Sequence, residues 1–255
     1  TKTNVTLKSA YDANNFYLYM QYDDPTNSYD RFPWVKQEDG TWKKMVNKDQ
    51  TGHENDFYED KAAVYFDISA RGFAKKGCAI ACHVTKDGMN NGFADTSAGR
   101  KYTRKAGETI DMWHWKGVRT GFPFMLAHDQ YVDDVADPKK SANWGRHGDE
   151  KLGGGYANNG KDAPEFMNPG GDYKMGFVLG DSKVPFVDTF KAGDKIPGIV
   201  VDKMSGSAAD LEVNHAYKDG KYTLVWKRPL VTTHPKAKVQ DVQFDDLKKD
   251  YYFGV

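Results

Sequence analysis

Short segments in which apolar and polar residues alternate constrain the fold of this chain most strongly. An alternation with a period of two is typical of β-strands that bury one face. Such segments occur at residues 5–11, 15–22, 61–68, 110–116, 210–217 and 221–228. Asp219 and Gly220 separate the last two, which predicts a tight hairpin. Since no helical pattern exceeds a turn or two, the sequence predicts an all-β fold, an antiparallel β-sandwich with long loop insertions and few short helices.

The 255 residues contain no linker rich enough to divide them, so a single domain over residues 1–255 is expected. A long loop insertion is expected at about 128–175, a Gly-, Asn-, Asp- and Lys-rich region, and its Gly-rich part at 152–160 is expected to be loop. The aromatic run 251–255 resembles the start of a strand, so the natural chain is expected to extend past Val255. The start at Thr1, without an initiator Met, favours a processed, exported protein.

The charge balance argues against two classes of partner. The chain has 36 Lys and Arg and 36 Asp and Glu, which gives no global field to attract nucleic acid or an anionic membrane. No segment approaches the roughly 18 apolar residues of a membrane helix, so no membrane span is expected.

The two cysteines stand in the motif Cys78-x-x-x-Cys82-His83, which allows three interpretations. Covalent haem attachment needs two thiols and an adjacent His ligand, but its usual spacing is one residue shorter. A Cys78–Cys82 disulfide is the second interpretation, since paired cysteines are common in exported chains. A zinc site ranks lowest, because a fourth ligand at a familiar spacing is missing.

Two further residues are candidate haem contacts. Met89 lies in a Gly- and Asn-rich stretch, and Met is a known axial haem ligand. His114 lies in an alternating segment, on the predicted face of Met112 and opposite the face of Trp113. The Asp-rich stretch 131–137 lacks the full spacing of a calcium loop and is expected to be a solvated loop.

These motifs together resemble the haem-binding γ-subunits of ethylbenzene dehydrogenase and dimethylsulfide dehydrogenase. The resemblance covers most of the chain and is carried by "VTLKSAYDANNFYLYMQYDDPT" from Val5, "GCAIACHV" from Gly77, "DMWHWKGVR" from Asp111 and "KDGKYTLVWKRPL" from Lys218. It implies a β-sandwich related to DOMON-type cytochrome domains. The founding γ-subunits hold a b-type haem between a Met and a Lys; Met89 is the candidate for that Met, and the Lys has no matching position here.

The resemblance implies a periplasmic electron carrier that performs no substrate chemistry itself. Its partners would be molybdenum and iron–sulfur subunits or a soluble cytochrome. In this interpretation His83 is the proximal iron ligand, Met89 or His114 completes the coordination, and Cys78 and Cys82 tether a c-type haem. A b-type haem is also open, as is a non-haem module that binds carbohydrate or protein and has a Cys78–Cys82 disulfide. Trp113, Trp115 and Phe93 are expected to wall the pocket.

Overall fold

A computed structural model of the chain describes residues 3–46, 56–81, 101–135 and 145–255. Its strands are β1 Val5–Tyr11, β2 Asn15–Asp23, β3 Trp34–Lys36, β4 Trp42–Lys44, β5 Lys61–Asp67, β6 Ile110–Lys116, β7 Leu126–Val132, β8 Arg146–Gly148, β9 Gly153–Asn158, β10 Phe166–Met167, β11 Val178–Leu179, β12 Val184–Pro185, β13 Lys195–Ile196, β14 Ile199–Ser205, β15 Leu211–Lys218, β16 Lys221–Pro229 and β17 Phe253–Gly254. The helices are α1 Phe73–Lys76 and α2 Ala237–Gln240, and single 3₁₀ turns lie at Gly77–Ile80, Pro169–Gly171, Gly180–Ser182 and Ser207–Ala209.

One curled antiparallel sheet organises the molecule. Its strand order is β1-β2-β16-β15-β7-β6-β5-β17, and β8 pairs with the outer part of β7. Because the sheet curls, the inner faces of β2, β15 and β16 oppose those of β5 and β6 across a shared core that contains Trp113, Trp115 and Trp226. The predicted all-β sandwich with few short helices is confirmed.

The predicted hairpins follow from their turn residues. β1 pairs with β2 in register from Val5–Tyr22 to Tyr11–Phe16. At the β15–β16 turn, Asp219 has φ 53° and Gly220 has φ 72°. Two consecutive positive φ values match the right-handed twist of the strands that such a turn joins, and Asp-Gly tolerates them well.

The expected loop at 128–175 is wrong over much of its length. β7 extends to Val132, β8 and β10 also lie in this region, and the Gly-rich stretch forms β9. Glycine permits this strand because a Cβ on Gly154 would lie 1.9 Å from the carbonyl oxygen of Lys203, a residue of the neighbouring β14. Side-chain alternation could not reveal a strand whose glycines serve close backbone approach. Residues 136–144 lie outside the described part, and the single-domain assignment stays a prediction.

Small sheets form a second layer at one end of the curled sheet. β9, β14 and β11 make a three-stranded sheet in which β11 and β14 run parallel, while β13, β3 and β4 make another. Val118, which follows β6, packs with Phe177, Ile199 and Val201 in the core beneath this layer. The residues that follow β6 are therefore held between the main sheet and the second layer.

Candidate functional site

Strand β6 presents different chemistry on its two faces. Ile110 and Met112 pack into one small core, on the face that also carries His114 and Lys116. Trp113 and Trp115 pack into the main core on the opposite face. We call these the Met112 face and the Trp113 face; the predicted alternation along residues 110–116 is confirmed.

Cys78 lies on the Met112 face. Its 3₁₀ turn follows α1, and Ile80 and Ala81 are buried in the same small core as Met112, against which the partly buried Cys78 packs. A Cβ on Gly254 would lie 3.1 Å from the Cys78 Sγ, so the thiol is seated against β17. Cys82, His83, Met89 and Phe93 lie outside the described residues. The Trp113 and Trp115 rings lie on the other face of the sheet, so they do not wall the side that holds Cys78, contrary to expectation.

His114 is buried and held in one orientation. Its Nδ1 lies 2.9 Å from Oε1 of Gln130 on β7. An amide oxygen only accepts hydrogen bonds, so Nδ1 carries the proton and Nε2 carries a lone pair. Burial, followed by the charges of Lys116 and Arg146, holds the pKa of His114 well below its ordinary value. The ring is therefore neutral, which is the form that binds a metal. Gln130 fixes its Nδ1, just as a hydrogen bond fixes the second ring nitrogen of many metal-ligating histidines.

Lys116 extends the polar patch towards β7. Its Nζ donates to Nδ1 of His128 at 2.9 Å. Burial, and then the charge of Arg119, lower the pKa of Lys116 well below its ordinary value. A Cβ on Gly148 would lie 2.9 Å from the Nε2 of His128, so this glycine leaves room for the imidazole.

Further cations continue this patch beyond the end of β6. The additional cations are Arg31, Lys61, Arg119 and Arg146, and these charges act on one another. Those of Lys116, Arg146 and Lys61 also act on His114. The carboxylate that they surround belongs to Glu59, which accepts from the Arg119 side chain and from the backbone N–H groups of Val118 and Arg119. Burial alone would raise the pKa of Glu59, but the charge of Arg119 and these hydrogen bonds outweigh it and lower that pKa. We call Arg31, Lys61, Lys116, Arg119 and Arg146 the cationic cluster.

Arg31 has donor groups that no described residue satisfies. The residue is 8% exposed, and its Nε and Nη1 have no hydrogen-bond partner among the described residues. Its Nε lies 3.8 Å from Oε1 of Glu59, and its guanidinium lies 4.3 Å from the centre of the Tyr58 ring. Buried cations without matching anions are costly. The chemistry of this cluster suits a bound anionic group.

Sequence reasoning did not find the cationic cluster. Its members come from segments near residues 31, 61, 116 and 146, which the sheet and the second layer bring together. The basic residues do not form a run in the sequence, so no local signal marks them. Of the described residues on this side of the sheet, Cys78 and His114 were singled out from the sequence.

An apolar groove forms a second place where a ligand could bind, and it lies on the Trp113 face of β5. Its volume is about 330 Å³, and its lining includes Lys8, Phe16, Phe66, Phe244, Lys249 and Phe253. Phe253 and Gly254 are neighbours in β17, so the groove and Cys78 lie on either side of this edge strand. The groove has the size and apolar character of a small-molecule site.

Comparison with known proteins identifies the family. The family model described as ethylbenzene dehydrogenase matches residues 1–255. The chain belongs to this family. The match confirms the resemblance to the γ-subunits and associates the chain with molybdoenzyme complexes and electron transfer. No curated protein matched the chain significantly.

No helix among the described residues has the length and apolar character needed to cross a bilayer.

Proposed function

We propose that this chain is an electron-transfer subunit that holds a haem on the Met112 face. The observation that carries the proposal is the placement of Cys78, the anchored His114 and the cationic cluster on one side of the same sheet. Family membership supports it independently. The proposed partners are molybdenum and iron–sulfur subunits or a soluble cytochrome, and the proposed location is the periplasm or another exported compartment.

The residues of this face fit a haem. The Cys78 thiol would form one thioether, and Cys82 would form the other in a c-type attachment. The Nε2 lone pair of His114 suits iron coordination, with Gln130 fixing the ring. His83 and Met89 remain the other proposed ligands. The cationic cluster, in which Arg31 and Lys116 are buried, would pair with the carboxylates of the porphyrin.

When bound, the haem supplies a one-electron redox centre whose potential depends on its ligands and burial. The protein's part is to orient, to bury and to balance charge. Gln130 fixes the His114 ring, and Ile110, Met112 and Ile80 keep water from the sheet surface. In this proposal the chain performs no substrate chemistry itself.

The alternative, a carbohydrate-binding module, finds little support in the tryptophans. Among the described tryptophans, Trp34, Trp113, Trp115 and Trp226 are buried and Trp42 is partly buried. Sugar stacking needs accessible aromatic faces, and these rings serve the core instead.

The test is the visible spectrum of the purified protein and of three histidine variants. We expect a Soret band in the wild type, a changed spectrum in His83→Ala and His114→Ala, and an unchanged spectrum in His215→Ala. His215 is the matched control because it is a partly buried strand histidine whose ring lies 5.0 Å from that of Trp115, on the opposite face. A colourless protein, produced with sufficient haem, would contradict the proposal.

A fourth variant separates the Met112 face from the apolar groove. Lys249 borders that groove. We expect Lys249→Met to leave the haem spectrum unchanged. A spectrum that responds to Lys249→Met and not to His114→Ala would place the haem in the groove and overturn the proposed site.

A further inference from the structure

A cluster of aspartates lies on the Trp113 face, on the other side of the sheet from the cationic cluster. Asp111 on β6 and Asp129 on β7 project to this face because they alternate with Met112 and Gln130. Three more carboxyl groups join them from other segments. The aspartate cluster comprises Asp111, Asp129, Asp149, Asp210 and Asp241, of which Asp210 is partly buried and the others are 5% exposed or less.

Only Asp111 in this cluster has a full cationic partner among the described residues. Its Oδ2 accepts from Nη1 of Arg228 at 2.7 Å, and also from the Trp113 indole and the Val242 backbone N–H. Arg228 donates its other terminal nitrogen to the Val242 carbonyl. The arginine is therefore engaged with Asp111. Of the other four carboxyl groups, Asp149 and Asp241 lie 3.6 Å and 2.8 Å from Nε2 of His234.

Several buried oxygens of these four carboxyl groups have no donor in the described chain. Neither oxygen of Asp149 has a hydrogen-bond partner, and the same holds for Oδ2 of Asp129 and Oδ1 of Asp241. Burial, followed by the charge of Asp241, raises the pKa of Asp149 to about 9. Burial and the charge of Asp111 raise that of Asp129 as well. Buried carboxyl oxygens this close together occur in proteins where an ion or a shared proton lies between them.

The distances between these oxygens suit a shared ion. Two sets of three side chains each bring one possible ligand atom per residue within 4.8 Å of the others. The first set is Asp129, Asp210 and Asp241, and the second is Asp149, His234 and Asp241. Two oxygens that both bind one Ca²⁺ at about 2.3–2.6 Å are at most roughly 5 Å apart. The two sets have the Asp241 carboxylate in common.

His234 holds the carboxylate of Asp241 in place. Its Nε2 lies 2.8 Å from Oδ2 of Asp241, and the Thr232 hydroxyl donates to the same oxygen. These two donors occupy Oδ2 and leave Oδ1 to face the cluster. His234 is thus a positioning residue for an oxygen ligand.

We propose that Asp129, Asp149, Asp210 and Asp241 bind a calcium ion through their carboxylate oxygens. Several carboxylates with no soft ligand suit a hard divalent cation. The ion would join β7, the segment after β8, the residue before β15 and the C-terminal segment after α2. This calcium site is independent of the proposed haem, since the two lie on opposite faces of the sheet.

The Asp-rich stretch 131–137, which was expected to be a solvated loop, supplies none of the proposed ligands. In its described part, Asp133 pairs with His147 at 2.9 Å. The proposed ligands are spread from residue 129 to residue 241, so no spacing pattern connects them.

The experiment measures calcium binding to the purified, haem-loaded protein. The protein is stripped with EGTA and titrated with CaCl₂ by calorimetry, and its melting temperature is followed with and without Ca²⁺. We expect one Ca²⁺ per chain and a melting temperature that falls by several degrees on chelation, because a ligand that binds only the folded state stabilises it. Elemental analysis before stripping should show calcium.

Asp149→Asn provides the sharpest variant, because it removes one negative charge and adds a donor amide in the same volume. We expect its affinity for Ca²⁺ to fall by about tenfold or more. Its melting temperature without Ca²⁺ should equal or exceed that of the stripped wild type, since like-charge repulsion is relieved. Asp162→Asn is the matched control, because Asp162 is exposed in a turn; it should bind Ca²⁺ like the wild type. Asp210→Asn repeats the test at a partly exposed ligand.

Three results would overturn the proposal. One is a wild type that binds no Ca²⁺ and whose melting temperature ignores both EGTA and Ca²⁺; the cluster would then be held by shared protons. A second is Ca²⁺ binding that persists unchanged in both Asp149→Asn and Asp210→Asn. The third is tighter binding of Zn²⁺ than of Ca²⁺, which would make His234 a ligand. The Soret band does not enter these readouts, so a failure here leaves the haem proposal to its own test.

Discussion

Arg228 joins the main core to the aspartate cluster. It is completely buried, and its guanidinium lies 5.2 Å from the centre of the Trp113 ring while it pairs with Asp111. Burying both charges of such a pair costs much desolvation free energy, so the pair adds little net stability. Removing one partner destabilises the protein strongly, because the other charge is then buried alone.

We expect Arg228→Met to destabilise the protein by about 3–5 kcal/mol, because Asp111 would keep a buried charge without a partner. Adding Asp111→Asn to that variant should recover much of the loss, since the amide oxygen still accepts from Trp113 and Val242. Urea unfolding of the single and double variants measures this. A double variant no more stable than Arg228→Met would show that the pairing is not the cause.

His215 provides a test of charge at a single site. Its Nδ1 has no partner in the described chain, and burial lowers its pKa below the ordinary value. When the pH falls below about 6.5, the unfolded state takes up a proton before the folded state does, so stability is lost towards acid pH.

His215→Gln should remove this part of the acid sensitivity. We expect the loss of unfolding free energy between pH 7.5 and pH 5.5 to shrink by no more than about 1 kcal/mol, because solvent reaches part of the ring. Denaturant unfolding at both pH values gives the difference. Equal losses in the wild type and the variant would refute the assignment.

At the scale of elements, close backbone approach rather than side-chain pattern fixes β9. Gly154 has φ 71° and no room for a Cβ beside Lys203, whereas Gly170 has φ 74° and open space around it. An alanine at either position would have an unfavourable positive φ, but only at Gly154 would its Cβ also clash with a neighbouring strand. Comparing the two positions therefore separates the cost of backbone strain from the cost of the clash.

We expect Gly170→Ala to cost about 1–2 kcal/mol from its positive φ alone. Gly154→Ala should cost clearly more, because β9 must move away from β14. Unfolding free energies of the two variants measure the difference. Equal costs would mean that β9 does not depend on this contact.

The same comparison explains what the sequence could and could not predict. β15 and β16 were predictable because each buries one face and so alternates. β1, β2, β5 and β6 were predicted from alternating residue types, although β6 is buried on both faces. β9 was not, because its glycines carry no alternating signal. The placement of Cys78 on the same face as His114 was partly foreseeable, since both residues were candidate haem contacts in the sequence. The cationic and aspartate clusters depend on contacts between distant segments, which a single sequence does not encode locally.

At the scale of the whole molecule, opposite charges are separated by one sheet. The cationic cluster lies beyond the Met112 face and the aspartate cluster lies on the Trp113 face, although the chain as a whole carries no net charge. A neutral total thus conceals one cluster of basic residues and one of acidic residues on opposite sides of a sheet. The cationic side favours the reduced state of a redox centre beside it, because added negative charge is stabilised there.

We expect Arg31→Gln to lower the reduction potential of the bound haem, on the order of tens of millivolts, because one buried positive charge is lost. Lys203→Gln changes the same charge at an exposed position and should have a much smaller effect. Spectroelectrochemical titration compares the three proteins. An unchanged potential in Arg31→Gln would place the haem away from the cationic cluster.

The account depends most on a haem attached beside Cys78. Intact mass measured under denaturing conditions, on protein produced with a cytochrome c maturation system, tests this directly. We predict the mass of the polypeptide plus one haem for the wild type, and loss of that added mass in the Cys78→Ala, Cys82→Ala double variant. A colourless wild type with the mass of the bare, disulfide-linked polypeptide would contradict the account.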